Sequence, residues 1–234
     1  MKLALTRLIF ATALGVCSLA KAADAPPSGV VNLMSSASAE VTKDWMSVTL
    51  SVNRDGPEAN AVQSGIKQAL DAALAEARKA AKPGQVEVQT GNFSMFPRYS
   101  KASTISGWQG SAELVIEGRD MLAISQLVGR INSMTVARVS YGLSREQREK
   151  SEGDVAAQAI ARYRAKAADY ARQFGYTAYA IREVNVSTDQ PQNGNPQPIY
   201  RAKAMSAASD ESLPVEAGKA LVTVNVSGAV QLTK

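Results

Sequence analysis

The amino-acid sequence predicts an α+β protein in which antiparallel strands are covered by two to three helices. Three observations predict this class. Stretches that alternate apolar and polar residues with period two predict strands, and stretches with an apolar residue every three or four positions predict helices. Several predicted strands also follow one another directly, which favours antiparallel pairing. The predicted order along the chain is β-β-α-β-β-α-β-α-β-β.

The N-terminal segment 1–22 has the features of a signal peptide. A short basic region precedes an apolar run over residues 8–20, which is too short to span a bilayer. Ala20-Lys21-Ala22 is the small-x-small pattern of a signal peptidase site. We therefore expect cleavage between Ala22 and Ala23 and a soluble, exported product.

The alternative for this segment is a lipid anchor on Cys17. Val16 precedes that cysteine where a small residue is normally needed, so simple cleavage is favoured. Cleavage removes three of the 26 basic residues and none of the 21 acidic ones, and the net charge falls from +5 to +2. Nucleic-acid binding thereby loses its main support in the composition.

The processed chain, 23–234, contains neither cysteine nor histidine. This composition excludes disulfides, thiolate nucleophiles, Ser-His-Asp triads and histidine-ligated zinc. No Gly-rich phosphate loop or dinucleotide fingerprint is present, so we predict no cofactor and no metal. Glu146, Glu149 and Glu152 share one side of a predicted helix, but basic residues alternate with them, which is typical of a solvated face. A carboxylate-based hydrolase would need two facing acidic side chains, and the sequence predicts no such pair.

The predicted elements begin with two strands and a helix. Val30–Val41 is a Ser- and Ala-rich extended stretch, and Trp45–Asn53 alternates between apolar and polar residues. Pro57 fits the first turn of a helix, where its missing N–H costs nothing. The helix that follows has an apolar stripe and ends at Lys82-Pro83-Gly84.

A predicted hairpin comes next. The apolar phase of its first strand slips at Gly91, which predicts a β-bulge, and at Pro97 pairing should end or the strand should lie on an edge. The second strand, Gly107–Glu117, is followed by a helix over Arg119–Asn132 and a strand over Val136–Leu143. The middle of the chain therefore has the order β-α-β-β-α-β of a ferredoxin-like split unit.

The longest predicted helix begins at Ser144, which we expect to form a reciprocal capping box with Gln147. Its alanine-rich apolar stripe continues to Tyr170 and Phe174, which predicts a close approach to its partner. The chain from Ala23 is long enough for one large domain or two small ones.

Two strands and a loop complete the prediction. A strand over Ala178–Thr188 precedes a polar, Pro- and Gly-bearing segment, 189–214, which we expect to be a mobile loop. The last strand, Ala220–Leu232, contains no charged residue. Because an unprotected edge strand pairs readily with other chains, this strand must sit centrally or pair with a second molecule.

The stretch QTGNFSMFPRYS is the candidate for a binding site. Together with the following strand it supplies four candidate residues, of which three are aromatic and one is basic: Phe96, Tyr99, Trp108 and Arg98. One interpretation is a bulged strand end in which Phe93, Phe96 and Trp108 pack and Arg98 and Tyr99 contact another subunit. The other is an aromatic groove near Phe96, Tyr99 and Trp108 that binds a small ligand or peptide.

These features, taken in order, resemble the SIMPL-domain family, also called DUF541. The resemblance rests on the element from Thr90 to Tyr99, on Gly107-Trp108, and on Leu143-Ser144 before the alanine-rich helix. The closing PVEAGKALVTVNVSGAVQL resembles the family's entry into a final valine-rich strand. The resemblance covers nearly the whole processed chain. One departure is Lys43-Asp44, which stands where the family has Pro-Asp.

The resemblance implies an exported protein of the bacterial periplasm without known enzymatic activity. Relatives include a periplasmic immunogenic protein that assembles into a ring- or channel-like oligomer, and others are named oxidative-stress defence proteins. We therefore expect a homo-oligomer that contributes to envelope or oxidative-stress tolerance. Neither a nucleic-acid partner nor a membrane span after processing is expected.

Overall fold

The structure is a computed structural model, and it describes residues 29–189 and 216–234. The predicted signal peptide, with its cleavage point between Ala22 and Ala23, lies outside the described residues. So does the loop predicted for 189–214, apart from Asp189 itself, which ends a strand.

The secondary structure follows the predicted order and forms two antiparallel sheets. In chain order the elements are β1 (Val30–Thr42), β2 (Trp45–Gly56), α1 (Ala59–Ala80), β3 (Glu87–Tyr99), β4 (Ile105–Gly118), α2 (Met121–Arg130), β5 (Thr135–Gly142), α3 (Arg145–Gln173), β6 (Ala178–Asp189) and β7 (Lys219–Thr233). Within these described ranges, no helix combines the length and the apolar character needed to cross a membrane.

The first unit is built on a four-stranded sheet in the order β3-β4-β2-β5. Strand β4 lies between β2 and β3, which is the ferredoxin-like split arrangement that the sequence predicts. Helices α1 and α2 pack on one face of this sheet. The side chains buried between them are apolar and include Val48, Leu50, Ile66, Leu114, Ile116, Ile124 and Leu127.

The second unit is built on a three-stranded sheet in the order β1-β7-β6, with α3 packed on one face. Its core is a separate cluster whose members include Leu33, Val155, Tyr163, Val224, Val226 and Val230. Strand β7 is the central strand, and Val224 is 1% exposed. Of the two positions that the sequence allowed for this strand, the structure shows the central one, so β7 needs no second molecule.

The β3–β4 hairpin has the predicted bulge. The register with β4 shifts between Thr90 and Phe93, around Gly91, which confirms the phase slip. Pro97 lies on the edge strand β3, where a missing N–H is tolerated. Pairing nevertheless continues beyond it to Tyr99.

Two details of α3 differ from the sequence prediction. The Ser144 side chain accepts a hydrogen bond from the backbone N–H of Gln147, as a capping box requires. The backbone N–H of Ser144, however, donates to Asp44 instead of Gln147. The buried stripe also ends at Ala171, and Phe174 is 64% exposed because the helix ends there.

Candidate functional site

The four residues singled out in the sequence lie on the β3–β4 hairpin, but they do not share one face. Phe96 lies opposite Gln109, whereas Pro97 lies opposite Trp108. Successive residues of a strand point to opposite faces, so the Phe96 ring lies on the face opposite Trp108. Tyr99 follows Pro97 by two residues and returns to the Trp108 face. The three rings therefore do not line a common groove.

The burial of these rings corrects the expectation that Phe93, Phe96 and Trp108 all pack. Trp108 is half-buried against the core of the first unit. Phe96 and Tyr99 are each 64% exposed, and Phe93 is 49% exposed. Tyr99 lies on the outer strand β3, beyond most of the cover of α1, which sits mainly over β4 and β2, whereas Phe96 lies on the face of the sheet that points away from α1. Phe96 and Tyr99 are therefore available to a partner, and Phe96 does not belong to the core.

Arg98 forms an ion pair with Asp55 at the end of β2, with 3.3 Å between Nη1 and Oδ2. Both side chains are largely exposed, and such a pair adds little to stability. Arg98 can therefore exchange this partner for another anion at small cost.

A polar cluster joins the two units, and the sequence alone did not predict it. Asp44 lies in the link between β1 and β2, and its carboxylate accepts hydrogen bonds from the Ser144 backbone N–H and hydroxyl. Arg119, which follows β4, donates to the Ser144 hydroxyl at 3.0 Å and to Glu146 at 2.7 Å. Lys43-Asp44, the departure from the family pattern, thus still presents the carboxylate to the start of α3.

The charges of this cluster neutralise one another. The hydrogen bond to Glu146 raises the pKa of Arg119, and the charges of Glu146 and Asp44 add to that effect while desolvation opposes it. The hydrogen bond to Glu149 likewise raises the pKa of Arg145. A cavity of about 590 Å³ lies beside these residues. Because its charged lining is already paired, the cluster holds the two units together rather than presenting a free acid or base.

No group of three or more acidic side chains within 29–189 and 216–234 is arranged to hold a metal ion. The remaining candidate site is formed by backbone groups at the edges of the two sheets. An edge strand carries unpaired N–H and C=O groups, and its side chains decide whether another strand can reach them.

The β1 edge is blocked by basic side chains from α3. Arg162 Nη1 donates to the carbonyl oxygen of Ser36 at 2.8 Å, and Lys166 Nζ donates to that of Met34 at 3.1 Å. Met34 and Ser36 occupy alternate positions of the β1 edge. Their carbonyl groups are therefore hydrogen-bonded within the chain.

The two edges of the four-stranded sheet are also protected. Strand β3 carries Pro97 and has register shifts on either side of it. Strand β5 is only eight residues long and carries Arg138 in its middle. Bulges, proline, charge and short length are devices that discourage edge-to-edge pairing.

The β6 edge is protected in its first part by a bulge and by Arg182 and Glu183, but its stretch 184–188 carries no charge, proline or bulge. Helix α3 lies mainly over β1 and β7, so the β6 side chains on that face are half-exposed: Ile181 49%, Val184 49% and Val186 47%. A twelve-residue strand with exposed β-branched residues is a ready template for pairing. The sequence predicted this strand, but not which of the strands would be edges.

A bulge divides β6 into two parts. Arg182 is the extra residue between Ile181 and Glu183, and β6 lies close to β7 there. A Cβ atom at Gly228 would lie 2.1 Å from the carbonyl oxygen of Glu183, so glycine is needed for this approach. From Glu183 to Asp189 the register is regular, which leaves seven residues with an undistorted edge.

The fold and these edges define a two-unit α+β protein in which one described sheet edge, β6, has a regular stretch without charge or proline at 184–188. The family model for SIMPL, "Protein of unknown function (DUF541)", matches residues 31–230. The chain therefore belongs to the SIMPL family, as the sequence motifs indicated.

No curated protein matches the chain. One similar solved structure is described as "The crystal structure of AtUAH in complex with glyoxylate", with a TM-score of 0.28 and 11% identity. The similarity covers 56% of this chain and 34% of that one, so this chain spans about a third of that protein's length. A likeness this weak says nothing about the function of the SIMPL chain.

Proposed function

We propose that this SIMPL protein is a non-enzymatic, exported protein of the bacterial periplasm that assembles with copies of itself and contributes to envelope or oxidative-stress tolerance. The observation that carries the assembly is the uncharged, regular stretch 184–188 on the β6 edge. The signal-peptide pattern of residues 1–22 supports export. The family resemblance supports the role in the envelope and in stress tolerance.

The absence of enzymatic activity is supported by composition and by geometry. The processed chain has no histidine and no cysteine. Within 29–189 and 216–234, the serine–carboxylate contact between Ser144 and Asp44 is a helix cap, and both the hydroxyl and the N–H of Ser144 are engaged. The serine is 3% exposed, so a substrate has no access to its oxygen.

The β6 sequence is self-complementary when two copies pair antiparallel about a twofold axis at Asn185. In that register Val184 lies opposite Val186 of the second copy on the α3 face, and such β-branched cross-strand pairs stabilise a sheet. In the same register Glu183 lies opposite Ser187 of the second copy. The pairing uses only the regular part of β6 and joins the two three-stranded sheets into one.

A twofold contact of this kind closes on itself and gives a dimer. The ring- or channel-like assembly that the family resemblance implies requires a second kind of contact between such dimers. The β6 pairing is thus the first step of assembly in this proposal.

The test is the mass of the processed protein, 23–234, by light scattering across a dilution series. The variant Val184→Lys/Val186→Lys places two charges on the pairing edge, and both valines are half-exposed, so the fold should tolerate them. The matched control is Val136→Lys on the β5 edge, where the valine is 44% exposed.

We expect an oligomeric wild type and control, and a smaller species for the β6 variant. A monomeric wild type at tens of micromolar contradicts self-assembly. An unchanged mass of the folded β6 variant contradicts the choice of β6. Loss of assembly in the Val136→Lys control would instead assign the contact to the β5 edge.

A further inference from the structure

The tip of the β3–β4 hairpin extends beyond the rest of its sheet. The last residue of β2, Gly56, lies opposite Trp108 on β4. Beyond that pair only β3 and β4 continue, and residues 98–106 are all exposed. The turn is closed by a hydrogen bond from the Ser100 N–H to the Thr104 carbonyl oxygen at 2.8 Å. The tip is therefore a defined, two-stranded projection.

Large apolar side chains lie at this tip and directly before it, where a soluble hairpin usually has small polar ones. Tyr99 and Ile105 lie in the tip and are 64% and 54% exposed. Phe96, which is 64% exposed, lies just before the tip, opposite Gln109. Phe96 lies on one face of the hairpin and Tyr99 on the other. A flat protein groove would cover one face, whereas a fluid interface can surround both.

The charged residues near the tip of the hairpin are of one sign. Between Glu87 and Glu113 the only charged residues are Arg98 and Lys101, and both are basic. Asp55 is the acidic partner of Arg98, but that pair is solvent-exposed and weak. Aromatic residues beside basic ones are the combination that binds the interface of an anionic bilayer, with rings at headgroup depth and bases near lipid phosphates.

We propose that the hairpin tip docks on the surface of an anionic phospholipid membrane, with Phe96, Tyr99 and Ile105 in the interface and Arg98 and Lys101 against the phosphates. The tip is distant in the sheet order from β6, in the other unit, so this inference does not depend on self-assembly. The protein would bind at the membrane surface without spanning it.

The test is co-sedimentation of the processed protein with vesicles of phosphatidylglycerol and phosphatidylcholine, beside vesicles of phosphatidylcholine alone. Two bases near the surface predict a preference of about 30-fold for the anionic vesicles, which falls as salt is raised. The variant Phe96→Ser/Tyr99→Ser should lose at least about tenfold in affinity, because two apolar rings leave the interface. Arg98→Glu/Lys101→Glu should abolish the preference for anionic vesicles.

The matched control is Phe174→Ser at the end of α3, since Phe174 is also 64% exposed but lies in the second unit. This variant should bind vesicles as the wild type does. Circular dichroism checks that each variant is folded, and its mass is measured in parallel. Absence of wild-type binding, or equal losses in the tip variant and the control, would overturn the proposal. A tip variant that changes the oligomer mass and leaves vesicle binding intact would also overturn it, in favour of a subunit contact.

Discussion

The carboxylate of Asp44 accepts two hydrogen bonds from Ser144, one from the backbone N–H and one from the hydroxyl, each at 2.6 Å. The two residues are 100 positions apart in the chain. Asp44 precedes the first strand of the first unit, and Ser144 caps the helix of the second. The Asp44 side chain thus links the two units, whose hydrophobic cores are separate clusters.

Replacement of this carboxylate should destabilise the protein. Asp44→Asn keeps the size of the side chain, but the NH₂ group of the new asparagine faces a hydrogen-bond donor of Ser144. We expect a loss of about 1–3 kcal/mol in the free energy of unfolding, because one partly buried donor of Ser144 is left without an acceptor. The measurement is urea unfolding at one fixed protein concentration.

The matched control for this substitution is Asp55→Asn. Asp55 also pairs with an arginine, but its side chain is 71% exposed, and surface changes of this kind stay within about 0.5 kcal/mol. Equal stabilities of the Asp44 and Asp55 variants would show that the junction cluster does not hold the units together.

The buried hydroxyl of Tyr163 gives a second prediction. The residue is 1% exposed, and within the described residues its oxygen has no hydrogen-bond partner. Because an unsatisfied polar group in a core costs free energy, Tyr163→Phe should leave stability unchanged or raise it by up to about 1–3 kcal/mol. Thermal or urea unfolding measures this change. A clear loss of stability would mean that the hydroxyl has a partner, such as a buried water.

The same hydroxyl makes the protein sensitive to high pH. Burial raises the pKa of Tyr163 above its ordinary value of 10.0, and the nearby Tyr179 adds to this effect. The unfolded chain releases the Tyr163 proton at lower pH than the folded chain. The stability that depends on the protonated hydroxyl is therefore complete below the ordinary pKa of tyrosine. This stability is lost as the pH rises from the ordinary pKa through the raised pKa of the folded state.

The wild type should therefore lose stability as pH rises above about 10, and Tyr163→Phe should lose less. Burial also raises the pKa of Tyr141, so part of the loss should persist in the variant. Urea midpoints across this range, with phenolate absorbance as the titration signal, test the difference. Identical pH profiles for the two proteins would contradict the assignment to Tyr163.

Processing of the leader is a further expectation. Intact-mass measurement of the protein from a periplasmic extract should give a chain that begins at Ala23 and lacks Cys17. The reason is the small-x-small pattern that ends at Ala22. A lipid-modified N-terminal cysteine would contradict this prediction and would place the protein on a membrane by another route.

Patterns along one strand or helix predicted the local structure well. The period-two valines of β7 indicated a buried face, and Val222, Val224 and Val226 are indeed in the core. The phase slip at Gly91 indicated a bulge that the register confirms. These features depend on neighbouring residues, which the sequence shows directly.

Features that depend on the path of the chain in three dimensions were beyond sequence reasoning. The capping-box pattern at Ser144 was half right, since Asp44 competes with Gln147 for its backbone N–H only after the two units meet. Phe174 fits the helical stripe but extends past the end of the helix. The exposure of Phe96 depends on which face of its sheet α1 covers, and the exposure of β6 depends on how far α3 reaches across the other sheet. Periodicity specifies neither.

The pairing of β6 with a second copy is the central claim, and a cysteine probe tests it most directly. The processed chain has no cysteine, so Asn185→Cys introduces a single thiol at the proposed twofold axis. Residues directly opposite in antiparallel strands have Cα atoms about 4.5–5.5 Å apart, which is within the range of a disulfide. Ser38→Cys on the exposed face of the blocked β1 edge is the matched control.

Both variants are oxidised mildly at the same concentration and analysed by non-reducing electrophoresis. We predict that Asn185→Cys is converted to a covalent dimer that dissociates on reduction, while Ser38→Cys remains monomeric in the gel. Absence of the Asn185→Cys dimer in a folded protein, or equal dimer yields from both thiols, would contradict assembly through β6.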